Sequence, residues 1–254
     1  MHMTQIVFSP TGGTQKVVDI LSNAWNVPFA TIDLTNPTFD FSTFHIDSDD
    51  LVILAVPCYA GRVPALAAKR IVQIQGHHAH CVLVCVYGNR AYDDTLIELF
   101  DLANQCQLNV IGAIASVAKH SIMTQFATTR PDKKDEEDLQ NFVHQIQAKL
   151  DSKISDLSIE FLPGNRPYKQ AGGGMVPIAS DVGLQCGQCA SLCPAQAIDP
   201  TRPNQTDPHH CISCMRCVIK CPVQARSINP EQLAQLIERV KGAISSWKEN
   251  ELFL

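Results

Sequence analysis

The chain has 254 residues, 45% hydrophobic and 18% charged, with 11 cysteines and a formal net charge of −5. This composition describes a folded protein of one or two domains and excludes disorder, collagen and coiled coil as the main state. The charge is uneven: residues 1–160 hold 11 Lys+Arg against 18 Asp+Glu and residues 161–254 hold 9 against 7, so the acidic front half speaks against a nucleic-acid partner.

In chain order, Thr4–Phe8 is a short apolar run that meets a loop at Ser9, and Thr14–Trp25 follows with helical spacing of Val17, Val18, Ile20, Leu21 and Ala24. Val27–Leu34 reads as a second strand. Leu51–Val56 and Cys81–Tyr87 are continuous apolar runs, as strands covered on both faces should be. Between and after them, Pro64–Ile74 and Asp93–Cys106 read as helices, the latter with Asp93 or Asp94 placed to cap it. Asn109–Val117 is a fifth strand and Asp135–Leu150 a closing helix with acidic residues in its first turn. Strands alternating with helices predict an α/β fold with a doubly wound five-stranded parallel sheet, in the order 2-1-3-4-5. No stretch reaches the roughly 18–20 apolar residues of a membrane span. Met1–Ser9 has no basic segment before its apolar run, so no signal peptide and a cytoplasmic location are expected, with thiols kept reduced.

Ser9, Thr11, Gly12, Gly13 and Thr14 form the loop between the first strand and first helix. Glycines let backbone amides approach an anion, the helix start supplies unpaired N–H groups, and the hydroxyls add donors. The loop lacks the Lys of a GK[ST] motif and the G-x-G-x-x-G spacing. That suits a phosphate monoester such as the one on FMN; the plainer reading is a capped strand–helix turn. The loops after the third and fourth strands wall the same crevice. They bring Pro57, Cys58, Tyr59, Ala60 and Gly61, then Tyr87, Gly88, Asn89, Arg90 and Tyr92. Tyr59 is the expected stacking residue for a flat ring, with Tyr87 or Tyr92 opposite. His120 and Ser121, after the fifth strand, are weaker candidates, and Cys81, Cys85 and Cys106 read as small core residues.

Residues 161–180 read as a linker, with Pro163-Gly164, Pro167, Gly172-Gly173-Gly174 and Pro177. They divide an expected FMN-binding domain, 1–160, from a small α+β iron–sulfur domain, 181–254. Seven cysteines fall in the second. Cys211, Cys214, Cys217 and Cys221-Pro222 make a complete C-x2-C-x2-C-x3-C-P run, which holds iron–sulfur clusters; zinc sites instead pair two short ligand pairs across a longer gap. Cys186, Cys189 and Cys193-Pro194 repeat the run with Gly183 where its first cysteine belongs. Under the crossed pattern one cluster takes Cys211, Cys214, Cys217 and Cys193, and the other takes Cys186, Cys189 and Cys221. The three-cysteine site is open to several outcomes: a 3Fe–4S cluster, a 4Fe–4S cluster with a water, substrate or Asp181 as fourth ligand, or no stable cluster. The chain closes with Pro230–Leu252, where Leu233, Leu236, Ile237, Val240 and Ile244 mark one helix face.

Ser9–Thr14 and the two aromatic loops resemble flavodoxin, with Gly13 where the flavodoxin pattern usually carries Asn. The cysteine runs resemble a two-cluster bacterial ferredoxin, and the whole chain is similar to the flavodoxin–ferredoxin fusion family of anaerobic microbes. The resemblance implies non-covalent FMN, two iron–sulfur clusters and electron transfer with a redox partner protein or small-molecule acceptor. An FMN-dependent reductase fed by the clusters and a redox-sensing module are the alternatives. No dedicated NAD(P)H loop is evident.

Overall fold

The structure is a computed structural model that describes residues 2–152 and 161–254. Its main sheet has six strands in the order β2-β1-β3-β4-β5-β8, the last being Glu251–Phe253. The first five are β1 (Met3–Val7), β2 (Phe29–Asp33), β3 (Leu51–Pro57), β4 (His80–Tyr87) and β5 (Asn109–Val117), all parallel. The expected order 2-1-3-4-5 is therefore present. Helices α1 (Gly13–Trp25), α2 (Ala65–Ile71), α3 (Thr95–Gln105) and α4 (Lys133–Asp151) are spaced along it.

Two apolar layers hold the sheet. One face packs Val52, Leu54, Leu83 and Cys85 with α2 and α3 residues such as Ala67, Ile71 and Leu99. The other packs Ile53, Val82 and Val84 with Val17 and Leu21 of α1 and Leu139, Val143 and Ile146 of α4. β3 and β4 are covered on both faces, which is why their sequences run apolar without alternation. Cys81, Cys85 and Cys106 sit in this core as expected.

The C-terminal stretch departs from the single helix expected. Pro230 at the first helical position and the Asn229 side chain, which accepts from the Glu231 and Gln232 N–H groups, start α7 (Pro230–Ile244). The helix stops at Ile244, and Glu251–Phe253 forms β8, antiparallel to β5 with Ile114 opposite Leu252. The tail is fixed before it pairs. Asn250 accepts from the Ser116 hydroxyl and Val117 N–H and donates to Asp135. Arg130 makes a bidentate ion pair with Asp135, donates to the Lys248 carbonyl at 3.0 Å, and lies 4.0 Å from the Trp247 ring centre.

The linker is stapled rather than loose in its first half. Asp94 does not cap α3 with its side chain, contrary to expectation. Its carboxylate instead accepts from the Asn165 and Lys169 N–H groups at 2.9 and 2.7 Å. Arg62 pairs with Glu98 and donates to the Lys169 carbonyl. Beyond it, β6 (Ile178–Ala179) and β7 (Arg226–Ser227) pair antiparallel across the cysteine runs that lie between them, and the one-turn helices α5 (Gln188–Ser191) and α6 (Arg216–Ile219) carry Cys189 and Cys217. Among the described residues, no helix is long and apolar enough to cross a membrane.

Candidate functional site

The loops after β1, β3, β4 and β5 meet at the carboxyl edge of the sheet around a cleft of about 440 Å³. Of the expected residues, Thr11, Gly13, Thr14, Pro57, Cys58, Tyr59, Tyr87 and Gly88 line it. Lys119, His120 and Ser121 complete the wall from the loop after β5. Sequence reasoning missed Lys119; its place just after the fifth strand, beside His120 and Ser121, was the available signal.

The other expected residues stand outside that wall, each for a visible reason. Gly12 starts α1 in the left-handed region with no side-chain cap; the Ser9 hydroxyl accepts from the Gln15 N–H at 2.9 Å, and the Gly13 and Thr14 N–H groups are left for a ligand. Ala60 and Gly61 form a tight turn between Tyr59 and Arg62, both at positive φ, and a Cβ at Gly61 would collide with Asp93. Asn89 is buried and its amide donates to the Ile244 and Ser246 carbonyls, so it anchors the C-terminal segment instead of facing the cleft. Arg90 pairs with Asp93. Tyr92 packs edge-on against Tyr87 at 5.2 Å and donates its hydroxyl to Glu251, which removes it as the opposing stacking ring.

Two groups in the wall have displaced protonation. Burial pushes the Cys58 thiol up, and its S–H lies 3.6 Å from the Ala91 carbonyl, so it is a protonated thiol and not a reactive thiolate. Burial, with Arg90 adding, lowers His120 to about 4. Its Nδ1 accepts from the Ile122 and Met123 N–H groups, which puts the proton of the neutral ring on Nε2. Gly88 is required beside it, because a Cβ there would lie 2.5 Å from His120 Cδ2.

The cysteines fall into two cavities. Cys193, Cys211, Cys214 and Cys217 line one of about 330 Å³ with Pro177, Ile198 and Met215. Burial first, then the neighbouring Cys193, Cys217 and Cys211, raise the Cys214 thiol to about 12 against a backbone hydrogen bond from Arg216. Cys186, Cys189 and Cys221 line the other, an open cavity of about 870 Å³ that also contains Asp181 and Gly183. This is the division the crossed pattern predicts. The two halves also share one backbone path: left-handed residues recur 28 positions apart (Gln185 and Ser213, Gly187 and Met215, Gln196 and Gln224). In each half the sulfur of the Cys-Pro cysteine accepts the N–H four residues on, Cys193 from Ala197 at 3.3 Å and Cys221 from Ala225 at 3.2 Å. The same offset sets Gly183 against Cys211. Among the described residues, no three His, Cys, Asp or Glu side chains gather as they would around a single metal ion. A cluster asks for something else, since each thiolate binds its own iron, and four soft donors around one cavity with Pro177, Ile198 and Met215 fit it.

Comparison with known proteins separates the same two parts. Residues 205–227 match the 4Fe-4S binding domain family. The chain joins a flavodoxin-like fold to a 4Fe–4S binding segment. Three similar solved structures cover its first part. They are a flavodoxin of Streptococcus pneumonia TIGR4 (14% identity, 59% of this chain and 99% of the other, TM-score 0.43), oxidised flavodoxin 1 of Bacillus cereus (13%, 58% and 98%, 0.41) and rubredoxin oxygen:oxidoreductase of Desulfovibrio gigas (11%, 59% and 37%, 0.42). No curated protein sequence matches the chain. The flavodoxin-like reading of the first part stands on its strand order, and the iron–sulfur reading of the second on the matched cysteine run; together they give the chain a redox, electron-transfer character.

Proposed function

We propose that this protein carries electrons between FMN in the sheet-edge cleft and two iron–sulfur clusters, and exchanges them with an external redox partner. The observation that carries the reading is the position of Tyr59. Its ring stands in the wall of the cleft, and Cys58 beside it and Ile212 of the four-cysteine loop pack on the same apolar core. Further contacts hold the two parts together there. Arg70 donates to the Pro194 carbonyl at 2.8 Å, and a Cβ at Gly172 would touch Ala60 at 3.7 Å. The four-cysteine cluster is thus the one beside the flavin, and the three-cysteine cluster is the outer one, with Cys186 exposed to a partner.

When bound, FMN supplies a two-electron centre that can release electrons singly, and clusters supply one-electron carriers. The chain's own residues do the rest. Thr11, Thr14 and the uncapped start of α1 hold the phosphate. Tyr59 and Tyr87 flank a flat ring and exclude water, and the neutral His120 offers an Nε2–H donor without adding charge. The parts divide at residues 161–180 and again after α7, because β8 returns to the first part's sheet, and the stapled linker keeps the cleft and cluster loops in contact.

Thr11→Ala and Cys214→Ala test the scheme together. The first should weaken FMN binding and leave the cluster absorbance; the second should remove cluster absorbance and leave FMN bound. Loss of both cofactors in either variant contradicts the two-centre reading.

A further inference from the structure

One wall of the sheet-edge cleft is held from behind by the far end of the chain. Tyr87 and Gly88 on the loop after β4, and Lys119, His120 and Ser121 on the loop after β5, line that side. Both loops are gripped by residues 244–251, a strap that follows the cysteine runs and leads from the end of α7 to the start of β8.

On the first loop, Asn89 is buried and lies outside the cleft lining. Its amide donates to the Ile244 carbonyl at 2.6 Å and the Ser246 carbonyl at 2.8 Å. The last carbonyls of a helix have no donor within it, so Asn89 caps α7 from another element. Its backbone sits at φ 68°, in the left-handed region that asparagine tolerates. Tyr92 adds a second tie through its hydroxyl, which donates to Glu251 at 2.6 Å. On the second loop, Arg130 donates to the Lys248 carbonyl and faces the Trp247 ring, while its own carbonyl accepts from the Lys119 N–H at 3.2 Å. The two loops meet at Gly88, where a Cβ would lie 2.5 Å from His120 Cδ2. A shift of the first loop against the strap therefore disturbs both of these cleft-lining residues.

We propose that Asn89 is a positioning residue of the FMN site: by capping α7 it holds Gly88 against His120, so that strap docking and FMN binding strengthen each other. This rests on the FMN reading above. Asn89 needs no contact with the flavin, and no bond forms or breaks. The coupling is reciprocal, because whatever strap docking adds to FMN affinity, FMN adds to strap docking.

The test uses the full chain with its cofactors in place. FMN release is followed by the recovery of flavin fluorescence on dilution, and strap docking by hydrogen exchange of residues 244–254. Asn89→Gly keeps the left-handed backbone and removes the amide; Asn89→Asp keeps the size and offers a carbonyl no donor. Each should release FMN about tenfold faster, as expected for two hydrogen bonds of modest net worth, and should exchange its strap faster with the cluster spectrum unchanged. In the wild type, raising free FMN tenfold above saturation should slow strap exchange about tenfold, which a purely structural tie would not show. Wild-type rates of FMN release in both Asn89 variants overturn the proposal, as does strap exchange that ignores free FMN. Trp247→Ala loosens the strap at an exposed ring and leaves the loop after β4 intact, so it decides the matter if the Asn89 variants do not fold. Its FMN release should quicken along with strap exchange; quicker exchange with unchanged release overturns the coupling. A wild type that holds no FMN refutes the FMN reading and this proposal with it, whereas FMN bound equally well by wild type and variants refutes the role of Asn89 alone.

Discussion

Replacing Asp135 with alanine should release the C-terminal strap. The carboxylate is fully buried and holds three partners: the Arg130 guanidinium, the Asn250 amide and the Asp132 N–H. Alanine strands a guanidinium whose side chain is 2% exposed, at a cost of about 3–5 kcal/mol for breaking a buried pair from one side. At roughly 2–4 °C per kcal/mol for a chain of this size, the melting temperature should fall by about 6–20 °C. Burial alone would raise the Asp135 pKa, but the Arg130, Asp132 and Asn250 hydrogen bonds outweigh it and hold the carboxyl below its ordinary value. A depressed acid contributes its full stability above the unfolded value of 3.8 and loses it as pH falls through the native one. The gap between wild type and variant should therefore be flat from pH 8 to 5 and close in acid. Thermal unfolding by far-UV circular dichroism across that range is the assay, with Arg130→Met/Asp135→Leu as the control that removes both charges and should recover most of the loss. A single variant that melts within about 2 °C of wild type at pH 7 refutes the buried-pair argument.

Two further substitutions probe the cofactor sites. Gly88→Ala puts a methyl group on the His120 ring, so FMN titration should show weakened affinity, by about tenfold if one hydrogen-bond-sized interaction is lost, with the cluster spectrum unchanged. Gly183→Cys has room, since a Cβ there meets only the Ser180 carbonyl at 3.4 Å and the Ala225 Cβ at 3.7 Å. It should complete the second ligand set and raise the iron recovered per chain; unchanged iron and an unchanged EPR spectrum would show that the position is out of reach of the cluster.

What the sequence revealed follows from where each element finds its stabilisation. β3 and β4 are central strands, so Leu51–Val56 and Cys81–Tyr87 carry their burial in an unbroken apolar run. The cysteine spacing was equally direct, because ligands on one tight loop must be close in sequence. β8 was invisible. It is three residues long, and its hydrogen bonds come from β5, more than 130 positions away, so Glu251 and Leu252 read as the end of the preceding helix. Asn89 misled for the same reason: a polar loop residue says nothing about the Ile244 carbonyl it holds. Tyr92 has the right residue type for stacking, but Glu251 takes its hydroxyl and turns it from the cleft.

The return of β8 changes what it means to call the protein modular. The chain leaves the sheet after α4 and comes back to finish it, so the iron–sulfur segment is spliced into the flavodoxin-like fold rather than hung from its end. A cut at the linker would leave β5 with an open edge at Ala113–Ala115 and an unanswered Ser116 hydroxyl, a surface that invites pairing with other chains. Tethered at two points, the segment has no free radius through which to swing, and shuffling it onto another carrier would require moving both ends of the graft.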